Sequence, residues 1–234
     1  MRLDKFLSSR NMGSRTQVKD LIRRGLVTVN GRTVRSPEQK IDETRDQVCC
    51  QGQTLRPGGH VYYMLNKPAG VVSAVRDDRE TTVLDLMKGC VLPRDGVFPV
   101  GRLDRDTEGL LLLTDDGETA HRLLSPKRHV DKTYLVTTAH ALSEEDLNRL
   151  EQGVDIGEKR PTLPAKARLL KDGKLLLTIR EGKYHQVKRM LLAVDNRVLA
   201  LKRVAFGGLC LDERLKTGEY RELTCQEVEI LHEA

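Results

Sequence analysis

What most limits the folds open to this chain is the place where its excess charge stops. Residues 1–58 carry twelve Lys/Arg against six Asp/Glu, whereas residues 59–234 carry twenty-eight of each, so the whole excess of +6 sits in the first quarter of the sequence. Between the two stretches lies QGQTLRPGGH (51–60), punctuated by Pro57, Gly58 and Gly59. Proline lacks a backbone donor and glycine carries extra backbone freedom, so neither readily continues a helix or a strand. A charge step across such a break divides the chain into a basic module over 1–58 and a neutral body over 59–234. A basic module on a neutral body suits an acidic partner, most often nucleic acid.

Several classes of protein drop out. No apolar run approaches the ~20 residues of a membrane-spanning helix; the four leucines at 110–113 fall far short of it. The opening MRLDKFL carries Asp4 and no long apolar stretch, so no secretory leader and a cytoplasmic location are expected. Five cysteines without a C-x-x-C pair fit neither a disulfide framework nor a zinc module. The sequence has no G-x-x-x-x-G-K-[ST], G-x-G-x-x-G, H-E-x-x-H or G-x-S-x-G. An enzyme of this sequence is therefore expected to work without ATP, a dinucleotide or a metal ion.

The basic module reads as a small helical unit. Leu3, Phe6 and Leu7 have helical spacing, and Ser14 with Gln17 forms the pattern of a capping box. Val18, Leu21 and Ile22 then give an apolar face that Gly25 ends. Arg15, Lys19 and Arg23 fall at i, i+4 and i+8, which lines three cations along another face. VTVNGRTV alternates about Asn30-Gly31, the signature of a two-residue hairpin. With Arg2, Lys5 and Arg24 close in sequence, this is a candidate phosphate-binding surface.

The larger part mixes elements without a βαβ rhythm. VYYMLNKPAGVVSAV reads as two strands joined across Lys67-Pro68-Ala69-Gly70. GETAHRLL reads as a short helix, KTYLVTT as a strand, SEEDLNRLEQ as a capped helix, and KLLLTIREGKYHQVKRMLLAV as strand, turn and helix. This irregular order points to an α+β fold with a mainly antiparallel mixed sheet. Its densest polar cluster is GRLDRDTEG (101–109), a loop directly ahead of the leucine strand. Loops abutting buried strands are where sites are built, and an ionised carboxylate can attack carbon without an activating base. On pattern alone, an ion-paired loop is the favoured account of these residues.

GRLDRDTEGLLLLT resembles the catalytic motif of pseudouridine synthases of the RsuA family. LNKPAGVVSA (65–74), HRLLSPKRHVDKTYLV (121–136) and EGKYHQVKRM (181–190) resemble that family's other signature segments, in the same order. Residues 1–58 resemble the Alpha-L, or S-four type, RNA-binding domain that precedes its catalytic domain, here 59–234. The resemblance implies isomerisation of uridine to pseudouridine in ribosomal RNA without a cofactor, with the base flipped out of its stack. By match to the motifs it implies Asp104 as the catalytic aspartate, Tyr134 as the active-site tyrosine and Lys188 as the basic partner of Asp104. Asp106 and Glu108 are expected to be structural. RNA-binding residues are expected to be Arg102, placed to reach into the duplex or its backbone, together with Arg2, Lys5, Arg15, Lys19, Arg23 and Arg24. The opening MRLDKFL and the closing GEYRELT resemble the branch acting on small-subunit (16S) rRNA, and a monomer working on an assembling small subunit is expected.

Three rival readings remain at this level. The substrate could be large-subunit (23S) rRNA. The chain could be a non-catalytic RNA-binding or ribosome-assembly factor, which would bind RNA equally well without Asp104. Or Asp104, Asp106, Asp115 and Asp116 could serve a metal-dependent nuclease, although Asp115-Asp116-Gly117 reads as an ordinary turn.

Overall fold

A computed structural model describes residues 1–9, 12–42, 45–55, 60–87, 96–125 and 128–233. The chain forms two compact units, one built on Met1–His60 and one on Val61–Lys88 with Phe98–Ala234. The break at Pro57, Gly58 and Gly59 lies outside the described residues, as does Cys90.

In the first unit, helix α1 (Leu3–Ser9) buries Leu3, Phe6 and Leu7. Helix α2 (Arg15–Arg23) opens with the expected capping box: Gln17 N donates to Ser14 Oγ at 3.4 Å and Ser14 N donates to Gln17 Oε1 at 2.8 Å. Val18 and Ile22 face the core, and Arg15, Arg23 and Arg24 are exposed. Strands β1 (Val27–Val29) and β2 (Arg32–Val34) pair about Asn30 and Gly31, whose φ values of 50° and 77° suit a two-residue hairpin turn.

A second hairpin, β3 (Val48–Cys50) and β4 (Gln53–Leu55), completes an antiparallel sheet in the order β2-β1-β3-β4. The unit is thus two helices on a sheet that holds, besides the expected hairpin, a second one over 48–55 that runs into the stretch read as a break. Gln51 and Gly52 take the same left-handed pair of conformations as Asn30-Gly31, at φ 50° and 82°. Gln51 N also donates to Leu26 O at 2.8 Å, so the turn is tied to the sheet that the sequence pattern alone did not reveal.

The second unit is a sheet of nine strands. In chain order they are β5 (Tyr62–Lys67), β6 (Phe98–Pro99), β7 (Glu108–Thr114), β8 (Lys132–Thr138), β9 (Lys166–Leu169), β10 (Leu175–Ile179), β11 (Val198–Phe206), β12 (Leu209–Cys210) and β13 (Tyr220–Glu222). The spatial order is β13-β5-β7-β11-β8-β10-β9, with β6 beside β7 and β12 beside β11. Only the β7–β11 pairing among these is parallel, so the sheet is mixed and mainly antiparallel, as the sequence led one to expect. Leu110 to Leu113 are all buried because β7 is central and covered on both faces. Gly109, at φ 99°, lets β7 and β11 close up there: a Cβ would run into the carbonyl oxygen of Arg203.

Helices α3 (Gly117–Leu124), α4 (Glu144–Gln152), α5 (Gln186–Ala193) and α6 (Cys225–Glu233) accompany the sheet. Asp116 caps α3 by accepting from Glu118 N and Thr119 N, both at 3.0 Å, and Ser143 caps α4 in a capping box with Asp146. None of the described helices is long and apolar enough to cross a membrane. The second strand expected in VVSAV does not form; Val72 makes only an isolated bridge to Thr82. Val72 N donates to Thr81 O and Val72 O accepts from Val83 N, both at 3.0 Å, while Ser73 Oγ and the preceding Gly70 turn to the loop at 101–107: Gly70 N donates to Arg105 O at 2.7 Å and Ser73 Oγ pairs with the Leu103 backbone.

Candidate active site

Asp104 stands on the loop between β6 and β7, and that loop is held almost entirely through its backbone. Ser73 Oγ donates to Leu103 O at 2.9 Å and accepts from Leu103 N at 3.0 Å. Lys67, the last residue of β5, is fully buried beneath the loop. Its Nζ lies 3.0 Å from Pro68 O, 3.1 Å from Asp104 O, 3.2 Å from Arg105 O and 2.8 Å from Thr107 O. An ammonium has three protons, so four carbonyls must share them. Burial draws its pKa down to about 8, against the pull of Asp106, Asp104 and Glu108. Thr107 N closes the turn onto Asp104 O at 3.1 Å. With the backbone so fixed, the Asp104 carboxylate projects from a defined point and remains about 30% exposed.

Two groups from a distant segment reach it. Lys188, on the first turns of α5, places Nζ 3.2 Å from Asp104 Oδ2 and 2.6 Å from Asp106 Oδ1. Burial works to lower the Lys188 pKa, but the hydrogen bonds to Asp106 and Asp104 outweigh it and the ammonium ends above its ordinary value. The same hydrogen bond from Lys188 holds the Asp106 carboxyl below the usual range. His185, which precedes α5 in a left-handed conformation (φ 48°), sets Nε2 3.7 Å from Asp104 Oδ1. Asp106, read from sequence as a mere neighbour, thus shares the lysine with Asp104.

Asp104, His185 and Lys188 line a cavity of about 880 Å³. Tyr134 on β8 lies in its wall, 8% exposed, opposite Arg203 of β11 in the strand register. Arg203 was not visible from sequence as a site residue. It is 2% exposed, donates from Nε to Leu110 O at 2.7 Å, faces Tyr134 across the strand pair, and sits 5.0 Å over the Phe206 ring. Burial lowers its pKa, opposed by Tyr134. Lys132 shares the pocket wall, drawn down to about 8 by burial and by the charge of Arg203. A cation inside an otherwise apolar strand pattern, as at Arg203 in VLALKRVAF, was the available signal.

Arg102 is exposed on the cavity wall. The other cations named from sequence lie in the first unit. Arg2 is engaged there by Asp4, at 3.0 and 2.9 Å, and by Glu38 at 3.5 Å, and Arg24 by Asp20 at 3.4 Å. Asp115 and Asp116 lie at the other end of β7 from Asp104. Asp115 accepts from Val61 N, and Asp116 caps α3 and accepts from the Tyr62 hydroxyl at 2.6 Å. No group of acids, cysteines and histidines able to hold a metal occurs among the described residues. The carboxylate set that a two-metal nuclease would need is not assembled.

A carboxylate paired with an ammonium on a rigid loop, facing a cavity walled by a tyrosine, is a site equipped for covalent or proton-transfer chemistry on one small group. Residues 61–193 match the family model described as RNA pseudouridylate synthase, and residues 1–48 match the S4 domain. Along its full length the chain is 46% identical to the uncharacterized RNA pseudouridine synthase YtzG of Bacillus subtilis, covering 99% of that protein. It is 44% identical to ribosomal small subunit pseudouridine synthase A of Haemophilus influenzae, over 99% of each chain. A crystal structure of a pseudouridylate synthase, 42% identical, superposes with a TM-score of 0.69 over 99% of both chains. The chain belongs to the RNA pseudouridylate synthase family, and its S4 domain followed by a synthase domain makes it a synthase of the RsuA type.

Proposed function

We propose that this chain converts one uridine of small-subunit (16S) ribosomal RNA to pseudouridine, with Asp104 as the catalytic carboxylate and no cofactor. The observation that carries the reading is the Lys188–Asp104 pair at 3.2 Å on the wall of a cavity that also holds Tyr134. The small-subunit assignment is supported by the full-length likeness to relatives named for that subunit in Haemophilus influenzae and, at 41% identity, Escherichia coli.

In this reaction the bond from uracil N1 to the sugar C1′ breaks, the uracil turns within the cavity, and a bond from C5 to C1′ forms. C5 loses a proton and N1 gains one, so composition and oxidation state are unchanged. A uridine stacked in a helix cannot reach Asp104 within the cavity, so the nucleotide is flipped, at a cost of a few kcal/mol. Arg102 at the wall engages the displaced RNA. Lys188 holds the carboxylate in place, Tyr134 lies against the base, and its hydroxyl assists proton movement. Residues 1–58 supply RNA affinity through Arg2, Lys5, Arg15, Lys19, Arg23 and Arg24, and residues 59–234 carry the chemistry. The protein acts as a cytoplasmic monomer on an assembling small subunit.

The test is tritium release from small-subunit and large-subunit rRNA transcripts labelled at uracil C5, with chelator present, comparing the wild type with Asp104→Asn. Release from the small-subunit RNA alone, lost in the variant, is expected. Release from large-subunit RNA alone would replace the substrate. RNA binding without release, even on pre-assembled subunits, would leave a binding factor.

A further inference from the structure

At the rim of the same cavity stands a side chain to which the reaction assigns nothing. Tyr184 is 75% exposed, the most exposed of the large hydrophobic side chains described. Its ring is not loose: it stacks on His185, with ring centroids 3.9 Å apart and planes 19° from parallel. His185 in turn contacts Asp104, so Tyr184 is one ring removed from the proposed catalytic carboxylate.

The backbone beneath this pair is fastened on every side. Lys183 N donates to Gln186 Oε1 at 2.9 Å, Gln186 Nε2 donates to Glu181 Oε1 at 3.0 Å, and Arg189 Nη1 donates to Tyr184 O at 3.0 Å. Arg189 also bonds Glu158, and the Lys183 ammonium bonds the carbonyls of Arg160 and Pro161. The turn thereby fixes a neighbouring loop on which Lys159 and Arg160 are exposed. An apolar ring face is thus held open to solvent on a rigid base, next to cations and next to the reacting carboxylate.

Exposing a tyrosine face costs hydration free energy, and holding it rigid costs entropy. Both are recovered when a flat partner covers it. One face of Tyr184 is occupied by His185, so the partner continues the stack on the other. The chemistry that fits is a nucleobase: flat, with a π-face whatever its identity, and attached to phosphates that Lys159 and Arg160 can meet.

We propose that Tyr184 is a stacking platform for an RNA base flanking the target uridine, holding the strand while its neighbour occupies the cavity. This rests on the RNA-modifying reading above, but not on the identity of the catalytic group. Its contribution is to binding and to choice of strand geometry, not to bond making.

The sequence contains no tryptophan, so Tyr184→Trp installs a single fluorescent reporter at the platform. Titrating Y184W with the small-subunit rRNA transcript should quench that fluorescence in a saturable way, and should do so equally in an Asp104→Asn background. Heparin, a polyanion without bases, should not quench it. In parallel, Tyr184→Ala should weaken equilibrium binding of the transcript and raise KM by about 5- to 150-fold, the span expected for one stacked base. The effect should fall on KM rather than kcat, and Tyr184→Phe should restore it. RNA binding without a fluorescence change, quenching by heparin, an affinity unchanged in Y184A, or failure of phenylalanine to rescue would each overturn the platform. A loss of kcat alone would mean that Tyr184 merely props His185. Failure of the catalytic reading would show separately, as quenching and binding without tritium release.

Discussion

Replacing Lys67 by methionine removes an ammonium that four carbonyl oxygens share; Asp104 O and Arg105 O keep their backbone donors Thr107 N and Gly70 N, whereas Pro68 O and Thr107 O lose the lysine donor. Unsatisfied buried acceptors cost about 1–3 kcal/mol each, so with two of them Lys67→Met is expected to destabilise the protein by at least about 2 kcal/mol in urea unfolding. The cost varies with pH in a defined direction. Burial brings Lys67 down to about 8 in the folded protein, from an ordinary value of 10.5. Between these values the unfolded chain binds more protons than the folded one, so the wild type gains stability relative to the methionine variant as pH rises across that window. Unfolding midpoints at pH 7.5 and 9.5 should therefore diverge, with the larger gap at 9.5. Lys188 behaves differently, since its ammonium is tied to Asp104 and Asp106 at the cavity wall. Lys188→Met is expected to lower kcat by about 100-fold or more while RNA affinity changes less than twofold, as measured by single-turnover tritium release and filter binding.

Among the elements, the approach of β7 to β11 carries the greatest demand. Their parallel register pairs Lys202 with Glu108 and Arg203 with Gly109, and at Gly109 a side chain would overlap the Arg203 backbone. Gly109→Ala must either part the two strands or strain a residue held at φ 99°, with an expected loss of at least about 2 kcal/mol in thermal or urea unfolding. Parting them would also move Arg203, which faces Tyr134 across the β11–β8 pair, so activity should fall further than stability predicts. The helices were legible at this scale because their signals are local: the Ser14–Gln17 and Ser143–Asp146 capping boxes both form as their spacing implies. The strand read in VVSAV failed for the opposite reason. Its apolar pattern is that of a strand, but Gly70 and Ser73 find their partners in the loop at 101–107, thirty residues away in sequence.

For the molecule as a whole, the charge step at the end of the first unit sets an expectation about salt. Arg15, Lys19 and Arg23 lie on one helix, turned away from the buried Val18 and Ile22. Replacing all three by glutamine is expected to weaken RNA binding and to reduce the slope of log affinity against log salt by about 2 to 3, since each phosphate contact contributes roughly 0.7–0.9. An unchanged slope would remove that face from the interface. The two-module plan, the α+β class and helices α1 to α5 were legible in the sequence, because charge, capping and turn chemistry act between residues that are neighbours along the chain, and the aspartate motif was legible through its resemblance; helix α6 was not read. What only the tertiary structure decided is which distant groups meet. Lys67 under the loop, Asp106 sharing Lys188 and Arg203 against Tyr134 each depend on segments brought together by the sheet. Residues 67, 104, 134, 188 and 203 converge because the sheet order sets β5, β7, β11 and β8 side by side. That order is selected by burial summed over the whole core, a non-directional quantity that no short stretch of residues encodes.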